Sequence, residues 1–141
     1  MSPYTAKIKR VRHYENKQKE NQMEYSDSLK KNNEFQRVYR KGTSQANRYL
    51  VMYVLPNQHM MNRLGISVSK KVGNSVVRHR LTRLIRESYR LNEEKFDRNL
   101  DIVVIARNSA KDRSYQEIES AFMNLAQKHA IAGGTDEETS Y

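Results

Sequence analysis

Gly65–Arg90, GISVSKKVGNSVVRHRLTRLIRESYR, restricts the possible folds more than any other stretch of the chain. Leu64, Ile66 and Val68 alternate with Gly65, Ser67 and Ser69, the period of a half-buried strand. Gly73-Asn74 signals a turn, since both residue types tolerate positive φ. Asn74 or Ser75 is placed to cap a helix running to about Leu91. Further on, Leu100–Ala106, LDIVVIA, is a nearly continuous apolar run of strand length, as an interior strand requires. Strand, helix and strand in this order make a crossover, with Arg63–Ser69 and Leu100–Ala106 parallel in one sheet.

The helix of this crossover has two unlike sides. At about 100° per residue, Val77, Leu81, Leu84, Ile85 and Ser88 share one side. His79, Arg80, Arg83, Arg86 and Arg90 share the other, and Arg78 sits on a flank of the apolar stripe. Eight of the 26 basic residues lie between Arg63 and Arg90, opposed only by Glu87, so this window carries +7 of the net +10. Like charges at i,i+3 cost a few tenths of a kcal/mol per pair in an isolated helix. A polyanion removes that cost, and arginine forks onto phosphate oxygens and stacks on bases better than lysine does. The charge geometry therefore points to nucleic acid.

The rest of the chain fits one domain with tails. Residues 1–28 are polar with little periodicity and read as a basic flexible arm. Asn33 with Gln36 matches a capping box for a short helix, Asn33–Lys41, whose apolar face is Phe35, Val38 and Tyr39 and which Gly42 closes. Arg48–Leu55 reads as a strand apolar on both faces, with Thr43–Asn47 a possible short strand before it. Leu91–Arg98 is a polar connection. Ser114–His129 reads as a last helix, capped by Ser114 with Glu117 and buried along Tyr115, Ile118, Phe122, Leu125 and Ala126. The acidic, glycine-broken end, residues 130–141, reads as a disordered tail.

Catalytic chemistry is scarce. There are no cysteines, which excludes disulfides, a thiolate nucleophile and a Cys-based zinc site. The four histidines are scattered without metal-like spacing, and the carboxylates form no visible pair. Asp101 opens a strand, where it could bind a metal or act as a cap. Neither phosphate-binding glycine motif is present. No run approaches the ~18 apolar residues of a spanning helix, and the N-terminus lacks the apolar middle of a signal peptide. The expectation is a soluble, cytoplasmic binding protein with no membrane and no small-molecule substrate. Phe35, Tyr39 and Tyr53 could stack on unpaired bases or simply pack the core; their spacing leaves both readings open.

At KKVGNSVVRHRLTRLIRE the sequence resembles the protein subunit of bacterial ribonuclease P. The likeness extends from LKKNNEFQRVYRKGTSQANRYLVMYVL upstream to DIVVIARNSAKDRSYQEIESAFMNL downstream, covering residues 29–129. The resemblance implies an α/β (α+β) two-layer sandwich, ribosomal-protein-like, with three helices and a four-stranded mixed sheet joined by a left-handed βαβ crossover. It also implies a partnership with a catalytic RNA that, with its own Mg2+, removes the 5′ leader of precursor tRNA. No cofactor and no catalytic residue are expected in the protein itself. Carried over by residue, Lys70, Lys71, Arg78, His79, Arg80, Arg83, Arg86 and Arg90 resemble the contacts to catalytic RNA. Phe35, Tyr39 and Tyr53 resemble the lining of the leader cleft. The chain has Arg78-His79-Arg80 where the family usually has Arg-Asn-Arg; neutral imidazole, like an amide, offers one donor and one acceptor. The alternatives are a structured-RNA-binding protein such as a ribosomal protein, with no catalytic partner, and a stand-alone metal-dependent nuclease, which would need clustered carboxylates.

Overall fold

The computed structural model describes Met23 and residues 25–133. In chain order the elements are β1 (Asp27–Ser28), α1 (Asn32–Lys41), β2 (Thr43–Ala46), β3 (Leu50–Pro56), β4 (Arg63–Ser67), α2 (Ser75–Leu91), β5 (Leu100–Ala106) and α3 (Tyr115–Lys128), with 3-10 turns at Glu93–Lys95 and Asn108–Ala110. The apolar run predicted to be interior is central: the strand order is β1-β4-β5-β3-β2. β4 runs parallel to β5, as the crossover requires, with Gly65 beside Val103. β3 runs antiparallel to β5, with Met52 beside Val104.

The alternation of β3 and β5 sorts the side chains onto two faces. Leu50, Met52, Val54, Ile102 and Val104 meet Leu81, Ile85, Ile118, Phe122 and Leu125 of α2 and α3 in the main core. Burying each of these large side chains contributes about 1.5–3 kcal/mol. On the other face Val103 packs with Leu29 and Val38, and with the half-buried Phe35, Tyr39, Tyr53 and Leu55. Helix α1 therefore adds a partial third layer to the expected two-layer sandwich, because β5 is apolar on both sides and needs a cover on each.

Four expectations change. Among the described residues the sheet has five strands rather than four, and the fifth, β1, lies in the stretch predicted to be a flexible arm. Tyr25 N–H donates to the Glu93 carboxylate at 2.8 Å, and Ser26 Oγ lies 2.6 Å from both that carboxylate and the Tyr89 hydroxyl. Leu29 N–H donates to Leu64 O at 2.9 Å. Residues 25–28 are thus part of the fold and Met23 packs against the main core; residues 1–22 and 24 lie outside the described residues. At the other end Ile131 and Ala132 are buried, and Asp97 N–H donates to Ile131 O at 2.7 Å, so the fold runs past residue 130; residues 134–141 lie outside the described residues. Helix α1 starts earlier than predicted, capped at Lys31, whose N–H donates to Glu34 Oε1 at 3.3 Å; Asn33 and Gln36 make no box. Gly73 does not use positive φ. Its role is room, since a Cβ there would come 2.8 Å from Val77 Cβ.

Candidate nucleic-acid interface

Helix α2 forms as its period predicts. Asn74 Oδ1 accepts from Val77 N–H at 3.0 Å, a cap worth about 1 kcal/mol. Leu81, Ile85 and Ser88 are buried, joined by Tyr89, which the apolar stripe does not include. The outer side stays open: His79 and Arg83 are exposed, Arg78, Arg80 and Arg86 half-exposed, and Lys70 and Lys71 project from the β4–α2 turn. Among the described residues, none of these six lysines and arginines has a carboxylate within ion-pair distance.

Three grooves adjoin along this surface. The first, about 630 Å³, is lined by Val76, His79, Arg80, Thr82, Arg83 and Arg86. The second, about 240 Å³, shares His79 and Thr82 and adds Ile66, Val68, Ser75 and Arg78. The third, about 370 Å³, shares Ile66 and lies between α1 and the sheet, with Phe35, Tyr39, Lys30 and Ser67 in its wall. The basic helix and the aromatic cleft are thus successive parts of one path that turns around the end of β4.

The aromatic cleft is built by close approach. Phe35 and Tyr39 have ring centroids 6.3 Å apart, and Tyr53 meets Tyr39 edge-on at 5.1 Å. A Cβ on Gly65 would fall 2.7 Å from Phe35 Cζ, so only glycine lets that ring lie on β4. Burial pushes the Tyr39 hydroxyl above its ordinary pKa, against a smaller opposing effect of Ser67. The rings are half-buried, so they both pack against Val38 and Val103 and line the cleft. Tyr53 supports Tyr39 and is absent from the groove's lining.

Two arginines of the basic window are not part of the open surface. Arg90 forks onto Glu87, its Nη2 donating to Oε1 at 2.8 Å and its Nε to Oε2, and its side chain is only 8% exposed. Arg90, expected among the RNA contacts, is therefore paired with Glu87 in the free chain, a pairing that the i,i+3 spacing signals. Arg63 donates through Nε and Nη2 to the two Asp101 carboxylate oxygens, both at 2.8 Å, and through Nη1 to Glu34 at 2.8 Å. Asn57 Nδ2 adds a bond to Asp101 at 2.7 Å. Asp101 is thus the ion-pair partner of Arg63. Burial raises its carboxyl, but the hydrogen bonds from Arg63 and Asn57 outweigh that and hold it below the ordinary value. Among the described residues no three His, Asp or Glu side chains converge as a metal site would require.

A family model described as Ribonuclease P matches residues 23–130. The chain belongs to the ribonuclease P protein family. A ribonuclease P protein component from Lachnoclostridium phytofermentans is 58% identical over 111 residues, covering 79% of this chain and 96% of the relative. One from Clostridium botulinum is 55% identical over 106 residues, covering 74% and 96%. The solved ribonuclease P protein of Staphylococcus aureus superposes with a TM-score of 0.71 at 40% identity, covering 75% of this chain and 97% of that one. That of Thermotoga maritima gives 0.68 at 29% identity, covering 75% and 98%. The match begins at residue 23, ahead of the 29–129 span that the resemblance covered, and so takes in β1.

Proposed function

We propose that this chain is the protein subunit of ribonuclease P and assists removal of the 5′ leader from precursor tRNA. Its basic helix holds the catalytic RNA, while its aromatic cleft holds the leader. The observation that carries this reading is the run of adjoining grooves from Arg80, Arg83 and Arg86, past Arg78 and His79, to Phe35 and Tyr39. Lys70, Lys71 and the four arginines would exchange condensed counterions for phosphates, which makes binding tight at low salt and steeply salt-dependent. Phe35 and Tyr39 would stack on unpaired leader bases, worth about 1–3 kcal/mol each with little sequence preference. In this reading the RNA and its Mg2+ perform the hydrolysis, and the protein contributes by binding and positioning. The left-handed crossover implied by the resemblance belongs to the same reading. Among the described residues no helix is long and apolar enough to cross a membrane.

The test adds the full chain to the catalytic RNA and precursor tRNA at low Mg2+. A gain in leader removal supports the subunit role. RNA binding with no gain supports the structured-RNA-binding alternative. Replacing Arg80 and Arg83 together with alanine should weaken catalytic-RNA binding and flatten the salt slope by about 0.7–0.9 for each phosphate the variant no longer engages; an unchanged slope refutes phosphate binding there.

A further inference from the structure

A second cationic cluster lies beside α2, at the end of the sheet where α2 and α3 both begin. The Cζ of Arg48 is 5.6 Å from the centre of the Tyr49 ring, and that of Arg113 is 5.8 Å from the same centre. Two guanidiniums so placed repel each other, and the negative face of the ring offsets only part of that. Arg113 also meets Glu117 at 3.5 Å, both side chains well exposed. Arg48 has no carboxylate at ion-pair distance among the described residues. Arg107 and Lys111 add exposed positive charge nearby in the chain, against Asp112 and Glu117. Beside the ring opens a groove of about 450 Å³, walled by Arg48, Tyr49, Gln116, Glu117, Ser120 and Asn124.

The cluster is held rigidly before any partner arrives. Asn47 Oδ1 accepts from the N–H groups of Tyr49 and Leu50, while its Nδ2 donates to Ala121 O at 2.9 Å. Ser109 Oγ donates to Arg48 O, and Arg107 Nη1 donates to Asn47 O at 2.9 Å. One bond joins the cluster to the basic helix: Arg80 Nη2 donates to Arg113 O at 2.8 Å. The Phe35 and Tyr39 cleft lies on the opposite face of the sheet from α2 and α3. A strand of RNA leaving the Arg80 groove therefore reaches Arg113 directly, whereas a leader in the aromatic cleft does not.

We propose that Arg48, Tyr49 and Arg113 form a second contact for the catalytic RNA, with backbone phosphate at the guanidiniums and one unpaired nucleotide in the adjoining groove. The proposal rests on the reading that this chain binds catalytic RNA. Phosphate at the guanidiniums would offset their repulsion and accept charge-assisted hydrogen bonds from them. The groove's amides and Ser120 offer donors and acceptors to a base edge.

The experiment titrates the full chain against catalytic RNA over a range of salt, with Arg48→Ala, Arg48→Lys and the Arg80→Ala/Arg83→Ala double variant in parallel. It also measures precursor-tRNA affinity with the protein saturating the RNA. The Arg48 side chain is exposed and only its carbonyl carries the Ser109 bond, so alanine leaves the loop intact. Arg48→Ala should weaken catalytic-RNA binding roughly three- to tenfold and lower the salt slope by about 0.7–0.9. Arg48→Lys should keep most of the slope, and precursor-tRNA affinity should stay unchanged. An unchanged slope for Arg48→Ala, while the double variant has a flatter one, overturns this proposal alone. An unchanged slope for both overturns the underlying reading and this proposal with it. A loss confined to precursor tRNA overturns the choice of partner.

Discussion

Replacing Asp101 with asparagine tests whether the Arg63 junction holds the cleft in shape. The carboxylate is 1% exposed and Arg63 14%, so the pair is shielded from water and salt. Removing one partner of a buried pair costs about 3–5 kcal/mol, since the other charge is left without its counter-charge. Asparagine keeps one acceptor for Arg63, which puts the expected loss near the lower end, about 3 kcal/mol. For a domain of about 110 residues, with an unfolding entropy of roughly 2.1 cal/mol/K per residue, that lowers Tm by about 13 °C. Glu34→Gln removes the other partner of Arg63, but at 27% exposure that bond is screened, so about 0.5–1 kcal/mol and a few degrees are expected. The pH dependence has a definite sign. Burial raises both carboxyls, but their hydrogen bonds and Arg63 hold each below its ordinary value. The stabilisation is therefore present above the unfolded carboxylate range near pH 4 and is lost as pH falls through the lower folded values. Thermal melting followed by circular dichroism at pH 7, and then stepwise to pH 3, measures all of this. Asp101→Asn should melt far below wild type at pH 7, and the gap should narrow below about pH 4. A loss no greater than that of Glu34→Gln, or a gap that widens in acid, refutes the assignment.

Gly65→Ala should push the Phe35 ring off β4, costing about 1–3 kcal/mol by overpacking. It should weaken affinity for precursor tRNA while leaving catalytic-RNA affinity alone; equal losses would mean general damage. Phe35→Ala should weaken binding of precursor tRNA more than mature tRNA, because only the former carries a leader. Equal losses in a competition assay would place the ring in the core alone. Arg90→Ala should leave the salt slope of catalytic-RNA binding unchanged, since Glu87 already engages that guanidinium. A slope reduced as much as in Arg83→Ala would show that Arg90 reaches RNA after all. Tyr89→Phe removes a hydroxyl that burial pushes up to about 12 and that bonds Ser26 and Asn62. Urea unfolding should show a loss of about 1–2 kcal/mol.

Much of the site is legible in the sequence because its signals are local. The Asn74 cap and the Ser114–Glu117 box are settled within three residues, and both form. Phe35 and Tyr39 are one turn apart and necessarily share a side of α1. What the sequence conceals is also specific. Residues 25–28 look like a polar arm because their partners, Asn62, Tyr89 and Glu93, lie more than thirty residues away. Glu93 sits in a connection that reads as polar, yet it is buried as the acceptor that anchors that arm. Arg90 is different, since Glu87 stands at salt-bridge spacing and signals the pair locally.

Residue order alone dictates that α2 has a greasy side and a guanidinium side, and that β5 is interior. Both follow from how far the chain turns per residue, a property of bond geometry that needs no distant partner. Which guanidiniums remain open to a partner depends instead on long-range packing. Arg63 and Arg83 look alike in the sequence, but β4 and β5 set Arg63 against Asp101 across 38 residues of chain, while Arg83 faces outward. The tertiary structure also joined the basic helix to the aromatic cleft at Ile66. A charge becomes a binding surface only where the fold leaves it unpaired, and that depends on contacts between residues far apart in the chain.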